Sequence, residues 1–205
     1  DRDLKSSTGQ YYAGLDHVRA LAAFMVFAWH FVHINNNHLG TASVFPFSLL
    51  TEGHTGVALF MTLSGYLFAK ILDGRKISYV SFLWNRVLRL LPLLLLVILI
   101  VGVRNYLQGG SLSEYLRTII LGLIRPGLPN GGWSITIEFH FYLILPLLLF
   151  FSNLNRATLP LFIIAAIAIR YFIFLKMGEV QGFSYWTIAG RIDQFILGIL
   201  AFQNF

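Results

Sequence analysis

The stretch that decides the fold is Arg86-Val87-Leu88-Arg89-Leu90-Leu91-Pro92-Leu93-Leu94-Leu95-Leu96-Val97-Ile98-Leu99-Ile100-Val101-Gly102-Val103. No charge interrupts it after Arg89. A membrane-spanning helix needs about 20 mostly apolar residues, within a range of ~17–25. Pro92 is compatible with such a helix, because neighbouring groups re-satisfy the freed carbonyl. Working outward from 87–103, comparable apolar runs cover roughly residues 18–34, 56–72, 133–151, 159–175 and 185–205. Six segments therefore reach spanning length. A seventh, 112–124, is shorter and carries Glu114 and Arg117; spanning, re-entrant and interfacial readings all remain open for it. The expected fold is all-α, a polytopic transmembrane bundle of six or seven helices.

Composition agrees. Of 205 residues, 57% are hydrophobic and only 12% charged, against about 25% charged in an ordinary soluble domain. That excludes a disordered chain, a coiled coil and most soluble enzymes. Lys and Arg number 15 and Asp and Glu 9, for a net charge of +6. In a membrane protein this excess is read as loop charge that sets topology rather than as a nucleic-acid surface. The chain has no cysteine, which excludes disulfides, thiolate metal sites and a cysteine acyl-enzyme. It begins at Asp1, which reads as a processed chain or a fragment. Residues 1–12 form a polar N-terminal segment without the pattern of a signal peptide. No repeat and no soluble stretch breaks the rest, so 1–205 reads as a single membrane domain.

Charge placement gives an orientation. No Lys or Arg falls between Arg19 and Lys70, and then Lys70, Arg75, Lys76, Arg86 and Arg89 follow closely. Basic loops stay cytoplasmic. The N-terminus and the 70–89 region are expected inside, and the loop around His38 to His54 outside. Beyond Arg104 the orientation depends on whether 112–124 crosses.

Among the charged and titratable residues in or beside the apolar runs, the candidates are Arg19, His30, Arg86, Arg89, Glu138, Arg191 and Asp193. Each costs about 2.5–3.5 kcal/mol on insertion scales, so such residues usually face the protein interior and mark a site. Arg19 and His30 are eleven apart. At about 100° per residue they share one helix face, ~16 Å apart along the axis. Asp16 lies one turn before Arg19 and can pair with it. The plainer reading is an arginine that snorkels to headgroups and a satisfied core histidine. Arg86 and Arg89 share a face and make, with Lys70, Arg75 and Lys76, an anion site suited to phosphates; topology alone also accounts for them. Glu138 shares a face with Ser134 and Tyr142. It reads either as half of a structural ion pair or as a carboxylate that orients a catalytic group. Ser64-Gly65 reads as a packing position first. No metal site is expected, His33 and His38 alone being a weak one.

Taken in order, these segments resemble the acyltransferase 3 family of integral membrane acyltransferases, which includes glycan O-acetyltransferases. Leu15-Asp16-His17-Val18-Arg19-Ala20-Leu21-Ala22 is similar to its opening "LDGLRAIA", and Arg19 with His30 matches its Arg-x10-His. Gly56-Val57-Ala58-Leu59-Phe60 through Ser64-Gly65-Tyr66-Leu67 resembles "GVDLFFVLSGFL". Arg86-Val87-Leu88-Arg89, followed by Leu90-Leu91-Pro92, matches its Arg-x-x-Arg. Trp133-Ser134 through Glu138 and Phe141-Tyr142 match "WSLxxExxFY", and Arg191 through Phe195 with Gly198 resembles "RxxxFxxG". Departures are Ala58 for an Asp, His17 for a Gly, and Phe139-His140 for Glu-Gln. The family has about ten helices in a longer chain, so the expectation is that its C-terminal helices are absent here.

The resemblance implies transfer of an acyl group, usually acetyl from acetyl-CoA, to a hydroxyl of a carbohydrate or lipid-linked glycan, in the cytoplasmic membrane and among its lipids, with no nucleic acid involved. It implies His30 as general base or transient acyl carrier, Arg19 on a phosphate or the thioester carbonyl, Arg86 and Arg89 on the CoA phosphates, and Glu138 orienting His30 or the acceptor. Two other classes compete. A transporter would also place Arg, His and Glu in the membrane, but no corresponding halves are visible. A truncated, non-catalytic relative would keep the residues only for packing. The acceptor, the acyl group and the oligomeric state are not legible.

Overall fold

A computed structural model describes residues 13–32, 44–50, 52–72, 78–129, 131–155 and 157–203. His33, His38, Arg75, Lys76 and the segment 1–12, named above, lie outside them. The described residues form eight helices and no strand: α1 (Ala13–Val32), α2 (Gly53–Leu72), α3 (Tyr79–Leu107), α4 (Leu112–Gly122), α5 (Trp133–Leu154), α6 (Thr158–Met177), α7 (Gln181–Trp186) and α8 (Ile188–Gln203).

Five of these, α1, α2, α3, α5 and α6, are long and apolar enough to cross a membrane. The all-helical membrane bundle is therefore as expected, with two refinements. The apolar run 185–205 is divided between α7 and α8. Thr187 between them is extended; its Oγ1 accepts from the Gly190 N–H at 2.9 Å and donates to the Phe183 carbonyl at 2.8 Å. A side chain that binds backbone on both sides ends one helix and caps the next. The 112–124 segment holds only the 11 residues of α4. At 1.5 Å per residue that is roughly half of a ~30 Å hydrocarbon core.

α4 is too short to span that core as a helix, and it packs back along α3. The Tyr115 hydroxyl donates to the Ile98 carbonyl at 2.6 Å, and its ring fills the space a side chain would need at Gly102. The far end of α4 is tied to the first turn of α5, where Thr136 Oγ1 donates to the Gly122 carbonyl at 2.8 Å. The end of α3 and the start of α5 thus lie on one side. Accordingly α2, α5 and α8 run parallel. Near their starts Tyr185 packs on both His54 and Trp133. Further along, Phe141 stacks on Phe195 at 3.9 Å and packs against Phe68.

α2 is the centre of the bundle, packed chiefly against α1 and α8. Gly65 of α2 lies against the Phe195 carbonyl of α8, and Gly198 of α8 against the Thr62 carbonyl of α2; a Cβ at either would meet backbone. Small residues are what let membrane helices approach this closely. Around the crossing, Phe68, Phe82, Phe141, Tyr142, Leu145 and Phe195 form a buried cluster. α6 is pinned to α8 by Arg170, whose Nη2 pairs with Asp193 Oδ2 at 2.6 Å and whose Nη1 donates to the Gly190 carbonyl at 2.8 Å. Asp193 thus finds the partner an intramembrane carboxylate requires. No residue in the apolar window of α3 is buried, and Leu93, Leu95, Leu96, Leu99 and Ile100 all point outward. That face suits acyl chains.

Candidate functional site

Two adjoining cavities lie along α1 and α2. The first, of 430 Å³, is lined by Arg19 from α1, Ser64 from α2, Arg86 and Arg89 from α3, and Glu138 and Tyr142 from α5. Helical spacing delivers each pair: Arg86 and Arg89 are one turn apart, as are Glu138 and Tyr142. Glu138 Oε1 accepts from the Tyr142 hydroxyl and from Ser64 Oγ, the latter at 3.4 Å. The Arg86 guanidinium lies over two buried rings, 4.6 Å from the Phe68 centroid and 5.6 Å from that of Phe82. Such stacking holds the charge in place without consuming its N–H donors. Arg19 pairs with Asp16 at 3.1 Å, as the spacing predicts. Three guanidiniums, one of them paired with Asp16, line the cavity beside one carboxyl group, so the cavity suits an anion.

His30 lines the second cavity, of 670 Å³, with Trp29, His54, Trp133, Tyr185 and Trp186. The two cavities share Val26, Val57 and Ser134 as walls. His30 Nδ1 is 2.8 Å from the Val26 carbonyl oxygen. A carbonyl only accepts, so Nδ1 carries the hydrogen, and in the neutral ring Nε2 presents its lone pair. That is the tautomer of a proton acceptor. Tyr185 packs against this cavity's wall; burial holds its phenol above the ordinary 10.0, while the nearby Arg191 charge pulls the other way.

Of the five residues expected in one site, Arg19, Arg86, Arg89 and Glu138 converge on the first cavity and His30 stands in the second. Glu138 and His30 line different cavities. The hydrogen bonds of Glu138 go to Tyr142 and Ser64, and Ser134 donates to the Gly131 carbonyl at 3.2 Å instead. Arg191 enters neither cavity; it is buried behind the second one. Sequence reasoning did not find Trp29, Tyr185, Trp186 and Glu179 as a common lining, nor Arg170. Arg170 was signalled as the one charge inside the apolar run 159–175 and Trp29 as the neighbour of His30; Glu179 carries no such signal. Among the described residues no three acidic or histidine side chains gather as a metal site.

A family model described as an acyltransferase domain matches residues 12–205. The acyltransferase MdmB of Streptomyces mycarofaciens is 32% identical over 152 aligned positions, covering 65% of this chain and 38% of that protein. The peptidoglycan O-acetyltransferase OatA of Listeria monocytogenes is 26% identical over 200 positions, covering 84% of this chain and 30% of that protein. The chain thus spans well under half the length of either relative. No solved structure matches it significantly.

Proposed function

The chain belongs to the acyltransferase 3 family, and on that premise we propose that it is a membrane acyltransferase moving an acyl group, acetyl in the first instance, from acyl-CoA to a hydroxyl of a carbohydrate or glycolipid. The observation that carries this reading is the meeting of Arg19, Arg86 and Arg89, from two helices, in one cavity beside Glu138. Even with Asp16 on Arg19 and Glu138 in the wall, the cluster keeps a positive excess that attracts an anion, and CoA is polyphosphorylated. The relatives' names, an acyltransferase and a peptidoglycan O-acetyltransferase, support the reaction class and a glycan acceptor.

In this reading the membrane is the cytoplasmic one. The basic end of the bundle, with Arg19, Lys70, Arg86 and Arg89, faces the cytoplasm, where basic loops remain. Residues 1–205 act as one membrane domain. Arg86 and Arg89 hold the donor's phosphates, Arg19 holds a further phosphate or the thioester carbonyl, and Glu138 keeps Ser64 and Tyr142 in place at the wall. The donor's thiol arm passes Val26, Val57 and Ser134 toward His30. There the acceptor hydroxyl gives its proton to His30 Nε2 as its oxygen bonds to the thioester carbonyl carbon. The C–S bond breaks, and the departing CoA sulfur takes the proton back from His30, leaving an ester and free CoA.

Acetyl-CoA binding to the purified chain tests the donor site. Arg86→Ala and Arg89→Ala are each expected to weaken it about 10- to 100-fold, the range for loss of a charge-assisted hydrogen bond. Unchanged affinity in both variants would remove the phosphate role and with it the main support for a CoA donor.

A further inference from the structure

His30 occupies only part of the second cavity. Four large rings also line it, Trp29, Trp133, Tyr185 and Trp186, which include three of the four tryptophans of the chain. These rings interlock. The Tyr185 centroid lies 4.5 Å from Trp133, 4.7 Å from Trp186 and 4.8 Å from His54. Behind them sits Arg191, only 4% exposed. Its guanidinium lies 4.6 Å from the Tyr185 ring and 5.4 Å from the Trp133 ring, and its Nε donates to the Tyr185 carbonyl at 3.4 Å. A buried cation costs desolvation. Here it fixes two rings from the rear, so the platform is set before anything binds. Trp186 stands at the lip, 43% exposed. Glu179 and Gln181 also line the cavity and bring a carboxyl group and an amide to it.

This combination has a chemical match. A pyranose ring has an apolar C–H face that stacks on an indole or phenol and a rim of hydroxyls that bond to carboxyl and amide groups. A lipid chain has no use for Glu179 and Gln181, and the acidic Glu179 disfavours a phosphate. The volume of 670 Å³ lies within the span of about 300–1,000 Å³ typical of small-molecule sites, which are likewise apolar with a few convergent polar groups.

We propose that this cavity is the acceptor subsite and that it takes a pyranose unit, stacked on Trp186 and Tyr185, hydrogen-bonded by Glu179 and Gln181, with one hydroxyl turned to His30 Nε2. That the bound sugar is an acyl acceptor with a hydroxyl turned to His30 rests on the acyltransferase reading; the pyranose-binding platform itself does not. The test is a titration of the purified chain with the methyl glycosides of glucose, galactose, rhamnose and N-acetylglucosamine, followed by indole fluorescence. A saturable change is expected with at least one glycoside. Trp186→Ala should weaken it about tenfold and Trp186→Phe should restore most of it. Trp84→Ala, on α3 and 61% exposed, should leave it unchanged. No saturable response to any of these sugars, or one that survives Trp186→Ala intact, overturns the proposal. Acetyl-CoA binding in the same preparation keeps the two ideas apart. Sugar binding without acetyl-CoA binding would undo the CoA-dependent reading and leave the subsite standing; acetyl-CoA binding without sugar binding would do the reverse.

Discussion

Arg86 brings a charge into the bundle without a carboxylate partner. Among the described residues the ion pairs are Arg19 with Asp16 and Arg170 with Asp193. Phe68 and Phe82 take the place of a partner, and a planar guanidinium suits that slot better than an ammonium does. Arg86→Lys is therefore expected to keep the charge but recover only part of the acetyl-CoA affinity lost in Arg86→Ala, as measured by equilibrium binding. Tyr142 tests the opposite wall. It is nearly fully buried and donates to Glu138. Tyr142→Phe removes one hydrogen bond and should lower thermal stability by about 1 kcal/mol. An unchanged melting temperature would contradict the bond's role. Glu138 and Tyr142 were legible as one face because they are one turn apart on one helix. That Ser64 completes the triad was not, because it comes from another helix and no local period records such a meeting.

At the scale of elements, the α2–α8 crossing depends on two positions without side chains. Gly65→Ala or Gly198→Ala places a methyl group against a backbone carbonyl that cannot swing aside. Each should cost about 1–3 kcal/mol or more in denaturant unfolding. Gly14→Ala in α1 meets nothing within 4 Å, so it should be neutral or stabilising and serves as control. Equal effects at all three glycines would mean that the crossing does not set the cost, since helix propensity alone favours alanine at each. The α7–α8 break escaped the hydropathy pattern because Thr187 is too weakly polar to interrupt an apolar run. It acts through two backbone hydrogen bonds rather than through its hydropathy. α4 stayed open for the opposite reason: its length left several roles available, and the bonds from Tyr115 and Thr136 that tie it to α3 and α5 join different elements and leave no local pattern.

Across the whole molecule the central question is direction. Membrane class and most helix positions were legible, since apolar length is local. The parity of crossings after Arg104 was not, because it depends on α4 alone. The absence of native cysteine allows a clean check. Single cysteines replacing Gln108, before α4, and Arg125, after it, should react with an impermeant maleimide from the same side of the membrane. One replacing Ser78 should react from the other. Labelling of 108 and 125 from opposite sides would mean that α4 crosses. The same topology separates an arginine cavity at one end of α1 from the His30 cavity toward the other, so donor and acceptor need not enter from one side. The most direct test of this account is transfer itself. Membranes containing the chain, supplied with acetyl-labelled CoA, should pass label to a glycan fraction. His30→Gln should still bind acetyl-CoA but pass on less than about 1% of it, as for loss of a general base. Full transfer by His30→Gln would contradict the account.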